Sequence, residues 1–129
     1  MHDSIDVLIA DDQPHLSLAL EHLVRSIDGV RATTIADGSE AIHHAIHEQP
    51  DLVILSTLIS PIDAWTAARM IRDQWQGRPG HIWLSAGRLE PYDNDDLTIA
   101  GIDHIVTHPY DPNEVVDRIS DVIRHSRTS

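Results

Sequence analysis

Apolar positions along this chain recur in two periods, and the switching between them marks out alternating elements. Apolar runs of strand length appear at Ile5-Asp6-Val7-Leu8-Ile9-Ala10, at Leu52-Val53-Ile54-Leu55, at His81 to Ser85 and at His104 to Thr107, and the more polar Val30 to Ile35 also reads as a strand. Between them the spacing becomes helical. Pro14 suits a first helical turn, and Leu16, Leu20, Leu23, Val24 and Ile27 then fall on one face until Asp28-Gly29 stops the helix. Asp37-Gly38-Ser39-Glu40 has capping-box spacing and opens a second helix whose inner stripe is Ala41, Ile42, Ala45 and Ile46. A third helix runs from Asp63 to Gln74, with Ala67, Met70, Ile71 and Trp75 as its predicted inner face, and Gln76-Gly77-Arg78-Pro79-Gly80 is a loop. The stretch Gly87 to Asp96 is polar and poorly periodic, so a helix before Ala100-Gly101 is only weakly specified. The last helix takes Asp111 as its N-cap and Pro112 as its first residue, with Val115, Ile119, Val122 and Ile123 facing inward.

Five strands alternating with five helices predict a parallel sheet covered on both faces, because each crossover lays a helix on the sheet. Continuous apolar strands such as Leu52–Leu55 fit burial on both sides. We therefore expect one α/β domain over residues 1–129, a (βα)5 flavodoxin-like, doubly wound sheet with strand order 2-1-3-4-5. That order gathers the C-terminal ends of strands 1, 3, 4 and 5, where such folds place their sites. Asp11, Asp12, Ser56, Ser85 and His108 lie at those ends.

Composition narrows the function. Nine basic residues, all arginine, against 21 acidic ones give a net charge of −12, which repels a phosphate backbone and argues against direct nucleic-acid binding. No apolar run approaches the roughly 18 residues of a membrane span, and Met1-His2-Asp3-Ser4 does not begin like a signal peptide, so a cytoplasmic protein without membrane contact is expected. The chain has no cysteine, which excludes disulfides and thiolate chemistry. No G-x-G-x-x-G, G-x-S-x-G or P-loop sequence occurs, and Asp11-Asp12-Gln13-Pro14 has the wrong charge for a flavin phosphate loop. His43 and His47 stand one helical turn apart, but their helix buries the opposite side and no general base follows at the right spacing, so solvent-facing histidines are expected instead of zinc ligands. Asp93-Asn94-Asp95-Asp96 lacks the glycine and distant glutamate of a calcium loop. Trp65, Trp75 and Trp83 read as packing residues, Trp65 being the most exposed.

In order along the chain stand Ala10-Asp11-Asp12, Asp37-Gly38-Ser39-Glu40-Ala41, Pro50-Asp51-Leu52-Val53-Ile54-Leu55, Ser85-Ala86, Ala100-Gly101 and Pro109-Tyr110-Asp111-Pro112. This series resembles a response-regulator receiver domain of two-component signalling from about Ile5 to His125. The resemblance implies that Asp11 and Asp12 are the acidic pair that helps hold Mg²⁺, with the carbonyl of Leu58 as a further ligand. It implies that Ser85 is the small hydroxyl residue that turns toward a phosphoryl group, and that His108-Pro109 is a cis peptide. Three positions depart from the pattern: Ser56 stands for the phosphate-accepting aspartate, His108 for the phosphate-binding lysine and Ile105 for the aromatic switch residue. Ser60 holds the usual proline position of the loop after strand 3, with Pro61 one place later.

The first two departures match in charge. Three carboxylates and a lysine sum to −2, and so do two aspartates and a neutral histidine. A carboxylate can become an acyl phosphate, whereas a serine hydroxyl attacks phosphorus only when a base activates it. The expected function is thus an atypical receiver, or pseudo-receiver: a non-enzymatic protein-interaction module independent of aspartyl phosphorylation, with no cofactor beyond weak Mg²⁺ at Asp11 and Asp12. The alternative is a receiver still regulated at the acidic pocket by metal, by protonation of His108 or by non-standard phosphorylation. The resemblance implies a signalling partner (a histidine kinase, an output domain or another regulator), with the chain itself either a monomer or a homodimer. Contact would run through helix 4, strand 5 and helix 5, presenting Leu97, Ile102, His104, Tyr110 and Arg118.

Overall fold

The computed structural model describes residues 4–87 and 91–128; the predicted polar stretch after Gly87 therefore lies partly outside the described residues, as do positions 1–3 of the chain start. The elements follow in the order β1 (Ile5–Ala10), α1 (Pro14–Arg25), β2 (Val30–Ile35), α2 (Gly38–Glu48), β3 (Leu52–Ser56), α3 (Ala64–Trp75), β4 (His81–Gly87), α4 (Asn94–Ala100), β5 (His104–His108) and α5 (Pro112–Thr128). The sheet order is β2-β1-β3-β4-β5, every pairing parallel, as the alternation of elements predicts.

Successive strand side chains point to opposite faces, so an unbroken apolar strand feeds two cores. Leu8, Val53, Leu55, Ile82 and Leu84 pack under α2 and α3, against Ala41, Ala45, Ala67, Ala68 and Ile71. Val7, Ile9, Leu52, Ile54 and Trp83 pack on the other face with Leu20 and Val24 of α1 and Val115 and Ile119 of α5. Edge strand β2 is less covered and alternates between half-buried and exposed positions. The helix starts form as their capping residues direct: the Asp37 carboxylate accepts from Glu40 N–H at 2.9 Å, Asp63 from Thr66 N–H at 2.9 Å and Asp111 from Asn113 N–H at 3.0 Å.

Two expectations need correction. Met70 is 41% exposed, and Ala64 and Ala68 line α3 inside instead. At 100° per residue Met70 sits about 120° around the helix from Ala64, off the stripe that Ala67, Ile71 and Trp75 share. Ile102 is 8% exposed and belongs to the core beneath α3, so it is not part of a partner surface. The turn out of α4 brings the chain back against the sheet there, and Ile102 N–H closes on Leu97 O at 2.9 Å. Among the described residues no helix is long and apolar enough to cross a membrane.

Candidate functional site

The sheet delivers the predicted residues to one rim. Asp11 follows β1 directly, its N–H bonded to Ile35 O, and it is 3% exposed. One carboxylate oxygen, Oδ1, accepts from Gln13 N–H at 2.9 Å; the other, Oδ2, is buried without a hydrogen-bond partner. Burial pushes the Asp11 carboxyl above its usual range and the neighbouring Asp12 charge adds to this, against the Gln13 N–H and the nearby His108 and His15 rings. Asp12 is exposed and accepts from the Gln13 side-chain amide at 3.2 Å.

Ser56 ends β3 and is buried, paired in register with Ser85 of β4. Its Oγ accepts from Leu58 N–H at 3.1 Å. The buried Ser85 hydroxyl is bonded to the Tyr110 hydroxyl at 2.7 Å, an interaction that no local sequence pattern signals because the two residues are 25 positions apart. Burial raises the Tyr110 hydroxyl above its ordinary pKa and the Asp11 charge adds to the shift, while the Ser85 bond opposes it. His108 closes β5, half-buried, with its ring edge-on to Tyr110 at 6.0 Å between centroids. His108-Pro109 is cis, as the resemblance implied, and Ser60-Pro61 is cis as well. Ile105 is half-buried and packs against the core under α2 and α3.

A family model for the response regulator receiver domain matches residues 7–120 of this chain. The chain belongs to that family. This receiver domain is 30% identical over 121 residues to the alkaline phosphatase synthesis transcriptional regulatory protein PhoP of Bacillus subtilis, covering 93% of this chain and 49% of that protein. It is 30% identical over 122 residues to the probable transcriptional regulatory protein TcrX of Mycobacterium tuberculosis, covering 95% of this chain and 51% of that one. The chain thus spans about half the length of these relatives. Among solved structures it is similar to the receiver domain of the sensor histidine kinase PA1611 from Pseudomonas aeruginosa PAO1, described with a magnesium ion in its active-site cleft (TM-score 0.81, 25% identity, 93% of this chain and 98% of that one). The receiver domain of the Francisella response regulator 1452 shares the fold at 17% identity (TM-score 0.81, 95% of this chain and 99% of that one). The chain is therefore a receiver domain of two-component signal transduction, a signalling module and not an enzyme of the ordinary kind.

The donors of this receiver do not fit a tightly held magnesium ion. Mg²⁺ requires near-octahedral oxygen geometry. Asp11 Oδ2 is one unengaged donor, but Ser56 brings a neutral hydroxyl where the family pattern has a carboxylate, and among the described residues no three His, Asp or Glu side chains converge to hold a metal.

The predicted partner face is mixed. Arg118 is exposed; Leu97 is half-buried against the core; Tyr110 is half-buried and engaged by Ser85. His104 is half-buried, edge-on to Trp83, with Nε2 unbonded and 4.0 Å from the Glu114 carboxylate. Burial lowers its pKa and the Arg118 charge lowers it further, against Glu114. Sequence reasoning missed Ile99, which is exposed on α4. Its apolar side chain was the only signal available, in a helix of weak periodicity.

Asp11 supplies a stability prediction. Its carboxyl is raised in the folded state above the reference value of 3.8, so its contribution is most favourable below that pH and is lost as pH rises through the folded value. Asp11→Asn keeps an acceptor for Gln13 N–H and removes the buried charge. It should stabilise the receiver by about 1 kcal/mol near neutral pH, with the advantage shrinking on acidification. Urea unfolding of both proteins at several pH values measures this; an advantage that grows toward low pH would contradict the assignment.

Proposed function

We propose that this receiver acts as a phosphorylation-independent interaction module, a pseudo-receiver. The observation that carries the reading is Ser56: a serine stands at the strand end that the resemblance gives to the acceptor, and its hydroxyl is bonded to Leu58 N–H and not to a base. Serine needs such a base to attack phosphorus. The engaged Ser85 supports the same reading, since a hydroxyl bonded to Tyr110 must break that bond before it can turn toward a phosphoryl group. With Ile105 packed at the switch position, the face of α4, β5 and α5 is held in one conformation for its partner, a histidine kinase, an output domain or another regulator. The charge of −12 opposes contact between this domain and DNA. Transcriptional control of the kind named for PhoP would therefore run through another domain or protein.

One observation favours a second reading, regulation at the acidic pocket by metal, protonation or phosphorylation at another residue: the unpartnered Asp11 Oδ2. An amide NMR titration with Mg²⁺ and then beryllofluoride, an acyl-phosphate mimic, separates the two. The pseudo-receiver reading expects no saturable shift at Asp11, Ser56 or Ser85. Saturable shifts there that spread to Ile105 and α5 would establish a working pocket and overturn it.

A further inference from the structure

The outer face of α2 carries a feature that signalling through the β-strand rim does not use. His43 and His47 are both exposed, one turn apart, with ring centroids 4.0 Å apart and planes tilted by 34°. The Nδ1 of His47 lies 2.8 Å from His43 O. A carbonyl can only accept, so Nδ1 carries a proton, and in the neutral ring the lone pair is then on Nε2. This is how metal-ligating histidines are commonly oriented, with the second ring nitrogen donating to a backbone carbonyl, which fixes the tautomer and the ring orientation. Both rings line a groove of about 550 Å³ together with Glu40, His44 and Glu48. A tetrahedral ion with Zn–N bonds of about 2.0–2.1 Å holds two nitrogens about 3.4 Å apart and the ring centroids about 5 Å apart, so the two rings open from their 4.0 Å stack by side-chain rotation to take it, as exposed side chains one helical turn apart can.

We propose that His43 and His47 form a two-imidazole site for a divalent transition-metal ion such as Zn²⁺ or Cu²⁺. Among the described residues no three His, Asp or Glu donors converge, so two protein nitrogens hold the ion and water fills the remaining positions. The site shares no residue with the Asp11–Ser56–Ser85 rim and does not depend on how that rim is read. Imidazole nitrogen suits both ions, and Cu²⁺ binds tighter than Zn²⁺ at a given nitrogen site.

Isothermal titration of the protein with ZnCl₂ and with CuCl₂ tests the site, beside H43A, H47A and H22A; His22 is an exposed histidine on α1. The expected result is one strongest equivalent, tighter for Cu²⁺, weakened about tenfold or more in both H43A and H47A and retained in H22A. Amide shifts on adding ZnCl₂ should centre on α2. The proposal is overturned if wild type binds neither ion at millimolar concentration, if H47A binds as wild type does, or if H22A loses the same equivalent, which would mean diffuse binding to scattered histidines.

Discussion

Ser56→Asp combined with His108→Lys should yield a domain that gains a phosphoryl group from acetyl phosphate in the presence of Mg²⁺, where the pseudo-receiver reading expects the parent to stay unmodified. Mass spectrometry reads the outcome directly. The parent chain has two aspartates, Asp11 and Asp12, beside a serine hydroxyl already bonded to Leu58 N–H. S56D alone provides a carboxylate that can attack phosphorus, with acetate leaving, but it takes the local charge from −2 to −3 with no lysine to offset it. Like carboxylates in a buried site raise one another's pKa, so the new group is held partly protonated and nucleophilicity falls. That single variant should lose about 1–2 kcal/mol of stability near neutral pH and accept little phosphate. H108K restores the sum to −2 and puts a cation where the phosphoryl charge develops. The double variant should recover stability and become phosphorylated, while H108K alone should not. A phosphorylated parent would sink the pseudo-receiver reading. Even in the double variant the relay should stay weak, because Ser85 is held by Tyr110 and Ile105 fills the switch position.

The largest stability loss outside the two apolar cores should come from Arg72→Ala, about 3 kcal/mol by urea unfolding. From α3 this guanidinium donates to Gly101 O through Nε at 3.2 Å and Nη2 at 2.7 Å, and to Gly80 O through Nη1 at 2.9 Å. It also lies 5.5 Å from the centre of the buried Trp75 ring. Its ion pair with Asp103 contributes little, since that carboxylate is 45% exposed and screened by water. The cost lies in the two backbone carbonyls left without a donor and in the uncovered indole. Arg72→Lys should recover less than half of the loss, because an ammonium cannot reproduce the planar fork. A loss below about 1 kcal/mol for Arg72→Ala would show that water replaces the fork.

Much of this fold was legible because each strand feeds two cores and so carries an unbroken apolar signal, as Leu52 to Leu55 do. The caps at Asp37 and Asp111 were equally readable, since a cap is a contact between near neighbours in sequence, whereas Asp63, read as the first helical residue, is the cap before Ala64. The rim was legible as far as position goes: topology alone carries Asp11, Ser56, Ser85 and His108 to one end of the sheet. What local pattern missed was set by contacts between distant segments. Tyr110 was expected on a partner surface and instead bonds Ser85 across the rim. Ile102 was placed on the partner face by its position between helix 4 and strand 5, and it is the return of the chain onto the sheet that buries it. Met70 satisfied an approximate helical spacing but lay on the wrong side of a stripe that small alanines complete.

The carbonyl that receives two of the Arg72 bonds belongs to the glycine that ends α4, held at φ +76° with Arg72 side-chain atoms about 3.0 Å from where a Cβ would stand. This fastens one end of α4 to α3, while among the described residues the opposite end shows the local Asp93 cap, with Asn94, Asp95 and Asp96 open to solvent. The seven-residue helix thus has its side-chain tie to α3 at the Gly101 end. A partner that grips Ile99 or the acidic tip therefore pulls on a helix tied through Gly101 to α3 and seated on the core at Leu97, and the load passes to the Arg72 guanidinium.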